Sequence, residues 1–345
     1  MNWPVSNMNP EISVIIPAYN TAAYISQTIK SVLGQTLHNI EVIVVDDAST
    51  DGTAEVARSF KDERLKVFVN PQNLGAGGTR NRALREATGK WIAVLDSDDW
   101  YAPERLEKLL QVAESKNADM VADDLFLIRD GEHSPWSTLI NESGEVIETI
   151  KQIDPVFFVE TDVYGQQGLH LGLSKPLFRR DFLLQHHIEY DASIKVTQDF
   201  WLVMECLIKG ASFFLVPEPY YFYRSRAGSL VYSPKVHRIE QDCQAIAAFL
   251  KQNGIDKQTS LARAFLKNLA VLNKNLAYYR VVESLKQRKW QRSLIEMVRN
   301  PYFFIHLLSQ IPSILNRRVQ RYIYGNKAAY EMIPRSHQQK RLSPP

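Results

Sequence analysis

Five apolar residues, Trp91-Ile92-Ala93-Val94-Leu95, run directly into Asp96-Ser97-Asp98-Asp99. An apolar run of this length that ends in carboxylates predicts a buried strand delivering acidic side chains to its C-terminal edge. In open α/β sheets that edge is where ligands bind. Three carboxylates this close repel one another and resist burial, and a hard cation such as Mg²⁺ or Mn²⁺ would neutralise them. The same residues also suit an acidic turn ahead of a helix that Pro103 and Glu104 can open.

The surrounding pattern alternates. Residues 12–16 form an apolar strand stopped by Pro17. Asn20 or Thr21 can cap a helix whose apolar face is Ile25, Ile29, Val32 and Leu33, with Gly34 ending it. Residues 40–45 form the next strand and end in Asp46-Asp47. A helix over 54–60, a strand over 65–69 and a Gly-rich entry at 75–78 into a further helix lead to the Trp91 strand. Residues 103–115 are amphipathic, and 119–128 read as another strand. Continuous apolar strands separated by helices imply an α/β fold with a mostly parallel sheet covered on both faces. Residues 130–170 read as irregular loops. Residues 199–209 are helical, and 213–216 and 220–223 read as two short strands around Pro217 and Pro219. From about Lys235 the pattern is wholly helical. Val236, Ile239, Cys243, Ile246 and Leu250 share one face, and Leu261, Phe265, Leu269, Leu272 and Leu276 another. The expected division is an α/β domain over 11–232 and a helical region over 233–345.

The net charge of +3 hides an uneven distribution: residues 274–345 carry +11 and residues 1–273 carry −8. The basic region favours an anionic phospholipid surface or another polyanion. The acidic body would repel DNA, so no nucleic-acid partner is expected. Residues 301–315 are apolar and aromatic, followed by Arg317, Arg318 and Arg321. This segment suits either a helix lying in a membrane interface or one packed on the α/β domain. No apolar run reaches the roughly 18 residues of a membrane span, and no signal-peptide pattern opens the chain. The expected location is the cytoplasm, or the periphery of a membrane's cytoplasmic face. Cys206 and Cys243 fall in apolar helical patterns and read as reduced core residues.

Between the two acidic strand ends lies Asn73-Leu74-Gly75-Ala76-Gly77-Gly78-Thr79-Arg80-Asn81-Arg82. Its glycines would let backbone N–H groups approach a phosphate at a helix N-terminus. Arg80 and Arg82 add forks suited to phosphate. The run matches neither a dehydrogenase GxGxxG nor an ATPase GxxxxGK[ST] pattern. A phosphate site beside a carboxylate cluster suggests a nucleoside diphosphate held partly through a metal.

Val14-Ile15-Ile16-Pro17-Ala18-Tyr19-Asn20, Val45-Asp46-Asp47-Ala48-Ser49-Thr50-Asp51-Gly52-Thr53, Asn73-Leu74-Gly75 with Thr79-Arg80-Asn81, and Leu95-Asp96-Ser97-Asp98-Asp99 together resemble the inverting glycosyltransferase family 2. The resemblance covers roughly residues 11–230. It implies a GT-A nucleotide-diphospho-sugar transferase fold with a C-terminal helical appendage. It implies that Pro17, Tyr19 and Asp47 hold the donor base, Tyr19 by stacking and Asp47 by hydrogen bonding. Asn20, Gly75, Arg80 and Arg224 would join them on the donor. Asp96 and Asp98 form the DxD motif, dividing ribose and Mn²⁺ or Mg²⁺ contacts, with Asp99 sharing the metal. The catalytic base falls at Asp199 in Gln198-Asp199-Phe200-Trp201, where the family usually has Glu-Asp. Ser174-Lys175-Pro176-Leu177-Phe178-Arg179-Arg180 resembles an acceptor-side segment, or is a polar turn before a basic helix start. Arg224 or Arg226 would meet the diphosphate, or lie on a solvated loop. Taken singly, Tyr19 also suits a core aromatic, Asp47 a helix cap and Asp199 a helix N-terminal charge.

The implied reaction moves a sugar from a nucleotide-diphosphate donor, UDP by default, to a glycan acceptor. The acceptor expected for a membrane-surface enzyme is a lipid-linked oligosaccharide, as in bacterial polysaccharide biosynthesis. Asp199 would deprotonate the acceptor hydroxyl, and a single displacement inverts the anomeric centre. Two other readings are a catalytically inactive carbohydrate-binding scaffold and a nucleotide-sugar pyrophosphorylase. The second needs a different Gly-rich N-terminal loop from Pro17-Ala18-Tyr19-Asn20.

Overall fold

A computed structural model describes residues 9–226, 235–256 and 258–299, with residues 303, 304, 308, 311 and 315. The first strand, β1 (Ile12–Ala18), is apolar on both faces and almost wholly buried. The helix α1 (Ile25–Leu33) lays Ile25, Ile29 and Val32 on the sheet. Neither expected cap closes it by side chain. The Thr21 carbonyl accepts the Tyr24 and Ile25 N–H groups, both at 2.9 Å, and Asn20 bonds the 49–50 loop instead. There follow β2 (Ile40–Asp46), buried at every position, α2 (Thr53–Arg58), β3 (Leu65–Val69), α3 (Gly75–Glu86) and β4 (Trp91–Val94). Next come β5 (Trp100–Tyr101), α4 (Arg105–Ser115) and β6 (Met120–Arg129).

The stretch read as loops holds short elements: β7 (Ser137–Thr138), α5 (Leu139–Ser143), β8 (Lys151–Ile153) and α6 (Pro155–Thr161). Asp154 caps α6 by accepting from the Val156 and Phe157 N–H groups. A 3₁₀ turn (Leu171–Leu173) leads to β9 (Leu177–Arg179), α7 (Arg180–Gln185), α8 (Gln198–Ile208) and β10 (Phe213–Ser225). The chain continues into α9 (Lys235–Gln252), α10 (Ser260–Lys286) and α11 (Trp290–Arg299).

The strands form one mixed sheet in the order β3-β2-β1-β4-β9-β6-β10-β5. β3, β2, β1 and β4 are parallel, as the apolar runs predict. β9 then runs antiparallel between β4 and β6, and β6 and β10 are parallel. The two short strands expected around the prolines are one strand, β10. Its register against β6 shifts between Val216 and Pro219 and again between Pro219 and Tyr221. Such bulges seat a proline without demanding a ladder N–H from it.

A buried ion pair ties α4 to β6. The Arg105 Nη2 lies 2.7 Å from Asp123 Oδ1, with both side chains shut off from solvent. Asp123 also accepts from the Tyr220 N–H at 3.1 Å, and Arg105 donates to the Lys175 carbonyl at 2.7 Å. Four segments are thus fixed at one point.

The chain divides into two compact units. One carries the sheet. The other holds α9, α10 and α11 and takes in residues 142–144 and 163–168. Within it, α9 buries Ile239 and Ile246, α10 buries Phe265, Leu272, Leu276 and Val281, and Phe303 stacks on Tyr278 with ring centroids 5.9 Å apart. Of the apolar segment read at 301–315, His306 lies outside the described residues, as do Arg317, Arg318 and Arg321. Among the described residues no helix is long and apolar enough to cross a membrane.

Candidate active site

β1, β2 and β4 end together, because they are parallel and in register. Their C-terminal edge therefore gathers Pro17, Asp46 and the Asp96–Asp99 turn. Asp199, in the first turn of α8, joins this edge through charged contacts. Asp96 Oδ1 receives Arg80 Nη2 at 2.7 Å, and its Oδ2 lies 3.2 Å from Lys175 Nζ. The same Lys175 Nζ is 2.6 Å from Asp199 Oδ2, and Arg80 stands 3.7 Å from that oxygen. The Tyr190 hydroxyl donates to Asp199 Oδ1 at 3.2 Å. Arg80 completes its fork by donating to Gln198 Oε1 at 2.9 Å.

Burial alone would raise Asp96, but the Lys175 and Arg80 cations outweigh it and hold its carboxyl well below the usual carboxylate range. Burial opposes charge on Lys175 and Arg80 too. Asp199 and Asp96 overcome it and hold both cations firmly protonated. Burial pushes the Tyr190 phenol well up, with Asp199 adding to the shift, so it serves as a hydrogen-bond donor.

The local sequence explains these placements. Asn81, one residue after Arg80, clamps Tyr190 by both backbone groups, at 2.7 and 2.8 Å. Gly77 lets α3 approach the loop before α8: a Cβ there would meet Gln198 Nε2 at 3.1 Å and Ala192 Cα at 3.2 Å. The Gly-rich run thus serves packing where an open phosphate cradle was expected. Its leading N–H groups are already taken, since Leu74 donates to Asp47 Oδ1 at 2.8 Å and Gly75 to Asp47 Oδ2 at 2.9 Å. Gly75 has φ +75°, which suits glycine. Asp47 also accepts from Asn70 at 2.7 Å, so it caps the start of α3 with both carboxylate oxygens. The orphan N–H groups of the helix start are the physical reason. Arg82 likewise turns inward, onto the Val69 carbonyl and Asn70 Oδ1, each at 2.7 Å. Tyr19 is half-exposed, and Asn20 Oδ1 accepts the Thr50 N–H at 2.9 Å.

The three carboxylates expected to share a metal do not converge, and no group of three metal-binding side chains is present among the described residues. Asp96 turns to Arg80 and Lys175. Asp99 is buried and accepts the Tyr221 hydroxyl and the Arg224 N–H, both at 2.7 Å. Burial, then the Asp98 and Asp96 charges, push it well above the usual carboxylate range. Asp98 pairs with Arg226 Nε; burial and Asp96 raise it despite that cation. Arg80 and Lys175 pair with Asp96 and Arg226 with Asp98, whereas Asp99 is held by a hydroxyl and a backbone N–H. The donor set that fits Mn²⁺ or Mg²⁺ here is the single Asp98 carboxylate, a set that suffices when substrate phosphates provide the remaining oxygens.

Arg224 also differs from expectation. Its Nε donates to the Asp98 carbonyl at 2.8 Å, Nη2 to Gln27 at 2.6 Å, and Nη1 pairs with Asp130 at 3.1 Å. It lies between the rings of Tyr24 and Trp100. Those bonds commit it to bracing the acidic turn. Tyr190 carried no role in the sequence, Lys175 only that of a member of the acceptor-side segment 174–180 and Gln198 only that of neighbour to Asp199, yet the three frame Asp199.

Residues 13–183 match the profile of Glycosyl transferase family 2. The succinoglycan biosynthesis protein ExoO of Rhizobium meliloti (strain 1021) is 29% identical over 346 residues, covering 100% of this chain and 94% of its own. ExoU of the same organism, also a succinoglycan biosynthesis protein, is 30% identical over 256 residues, covering 73% of each chain. Among solved structures, S. aureus TarS 1–349 in complex with UDP-GlcNAc aligns with a TM-score of 0.57 at 20% identity, over 85% of this chain and 92% of that one. The mannosyltransferase PcManGT from Pyrobaculum calidifontis, in complex with GDP-Man and Mn²⁺, gives 0.54 at 18%, over 96% and 88%. The structural likenesses establish a shared fold, and the sequence relationships establish the family. The chain belongs to glycosyl transferase family 2 and is a glycosyltransferase of the GT-A fold.

Proposed function

We propose that the protein is an inverting transferase that moves a sugar from a nucleotide-diphosphate donor, a UDP-sugar in the first place, to a lipid-linked glycan in bacterial polysaccharide biosynthesis. The observation that carries this reading is the fixed placement of Asp199. Its carboxylate is 15% exposed and tied by Lys175 and Arg80 into the same charge cluster as Asp96. In the proposed reaction Asp199 accepts the proton of the acceptor hydroxyl as that oxygen attacks the anomeric carbon. The bond to the diphosphate breaks on the opposite face, so one displacement inverts the centre without a covalent intermediate. Tyr19 and Pro17 would border the base, and Arg226, which meets the Asp98 carboxylate, would stabilise the developing diphosphate charge. Asp98 would hold Mn²⁺ or Mg²⁺ together with the diphosphate oxygens, and the ion supplies neutralisation of the leaving group.

The names of ExoO and ExoU support a polysaccharide product, and the ligand of TarS supports a UDP-sugar. A membrane-borne acceptor accords with α11. Trp290, Leu294 and Val298 are exposed four residues apart on one face. Between Lys286 and Arg321 the sequence has eight basic residues and one acidic one, a composition suited to an anionic lipid surface on the cytoplasmic side.

The test is nucleoside-diphosphate release by purified protein from UDP-, GDP- and dTDP-sugars, with Mn²⁺ or Mg²⁺ and with EDTA, using membrane lipid extract as acceptor source. Release from one donor that requires the metal and the extract is expected. Absence of both donor binding and release with every donor would instead favour a carbohydrate-binding scaffold.

A further inference from the structure

We infer that Lys175 is a positioning residue for the transfer step: its ammonium ties the donor-side carboxylate Asp96 to Asp199 and orients Asp199 for proton acceptance. The inference rests on the reading of Asp199 as the base. Lys175 is almost fully buried. Its Nζ spans Asp199 Oδ2 at 2.6 Å and Asp96 Oδ2 at 3.2 Å. A buried lysine is costly unless paired, and this one has two carboxylate partners on different elements. It reaches both because its backbone is pinned. The Lys175 carbonyl accepts from Arg105 at 2.7 Å, and Arg105 is locked to Asp123. The Ser174 N–H and hydroxyl both bond the Leu171 carbonyl. The ammonium is therefore a fixed point to which Asp199 is tied.

The consequence is a division of labour on Asp199. Lys175 occupies Oδ2, and Tyr190 is the donor on Oδ1. The tyrosine bond, at 3.2 Å, is the weaker and longer, so Oδ1 is the oxygen free to exchange its partner for an acceptor hydroxyl. Arg80 cannot replace the lysine. Its Nη1 and Nη2 are used by Gln198 and Asp96, and it stands 3.7 Å from Asp199. Gln198 fits this arrangement because a neutral amide accepts from Arg80 without adding a second negative charge beside Asp199. Because Lys175 also touches Asp96, donor occupancy and base orientation share one side chain.

The test is a double-mutant cycle on the full-length protein, with turnover and nucleoside-diphosphate affinity measured separately. Lys175→Met should lower kcat by about 100-fold, the scale of a small misplacement of a reacting group, while nucleoside-diphosphate affinity changes only a few-fold. In an Asp199→Asn background the same change should cost almost nothing more. Lys175→Arg keeps the charge and so protects the fold, but its planar fork cannot copy the compact ammonium. It should bind nucleoside diphosphate normally and regain only part of kcat. Full kcat in Lys175→Met or Lys175→Arg, with Asp199→Asn inactive, overturns the inference and leaves the base intact. Additive losses in the cycle overturn it as well. Full activity in Asp199→Asn overturns the reading of the base itself.

Discussion

The Arg224 backbone N–H donates to Asp99 Oδ1 at 2.7 Å while its side-chain Nε donates to the Asp98 carbonyl at 2.8 Å. One residue of β10 thus braces the C-terminal half of the acidic turn, and Arg226, two positions on, meets the Asp98 carboxylate. The two arginines predict different phenotypes. Arg224→Ala removes charge-assisted bonds and ring contacts from a side chain that is only 10% exposed. It should cost about 2 kcal/mol of stability, read from the urea midpoint. Arg226→Ala leaves the Asp98 carboxylate without its cation, so it should lower that midpoint too and in addition raise the KM for the donor.

A second prediction concerns pH and lies away from the site. Glu41 is buried in β2 and accepts from Ser13 at 2.6 Å, Lys66 at 2.8 Å and the Thr88 N–H at 2.7 Å. Burial works against its charge, but these donors prevail and hold the carboxyl below its ordinary value. A group depressed in the folded state adds stability above its unfolded pKa of about 4.3 and loses it as the pH falls through the folded value. Glu41→Gln should therefore destabilise the protein at neutral pH, and the gap from wild type should close as the pH drops below about 4. Denaturant titrations at neutral and acidic pH check this; a constant gap contradicts it.

A third prediction addresses α11. Replacing Trp290, Leu294 and Val298 with serine removes exposed apolar surface. Co-sedimentation with vesicles containing phosphatidylglycerol should be lost, while nucleoside-diphosphate affinity stays unchanged. Wild-type binding should weaken with added salt, because part of the attraction is electrostatic.

The legibility of the sequence follows from the range of the interactions involved. The parallel strands were readable because their apolar runs end abruptly at Pro17, Asp46 and Asp96. Asp96 and Asp199 were marked by local motifs, and the structure sets them on one lysine. That lysine was legible only as part of the acceptor-side segment 174–180; its tie to both carboxylates was not, since those partners are brought together only by the fold. The same holds for the Arg105–Asp123 pair, which looks like an ordinary helix start and an ordinary strand residue until both are buried. The continuity of β10 was hidden because a proline normally argues against a strand, and only the register shifts reveal how Pro219 is seated. Asp47 was legible as an important residue. Its carboxylate serves the start of α3, a demand set by tertiary placement of the helix.

The central claim is that Asp199 is the base of an inverting transfer. The most direct measurement is the anomeric configuration of the glycoside made from an α-linked donor, by NMR, alongside turnover of Asp199→Asn. The account predicts a β-linked product, and a kcat for the variant lowered by about 10³-fold with donor affinity within a few-fold of wild type. An α-linked product, or an Asp199→Asn enzyme that turns over like wild type, would contradict it.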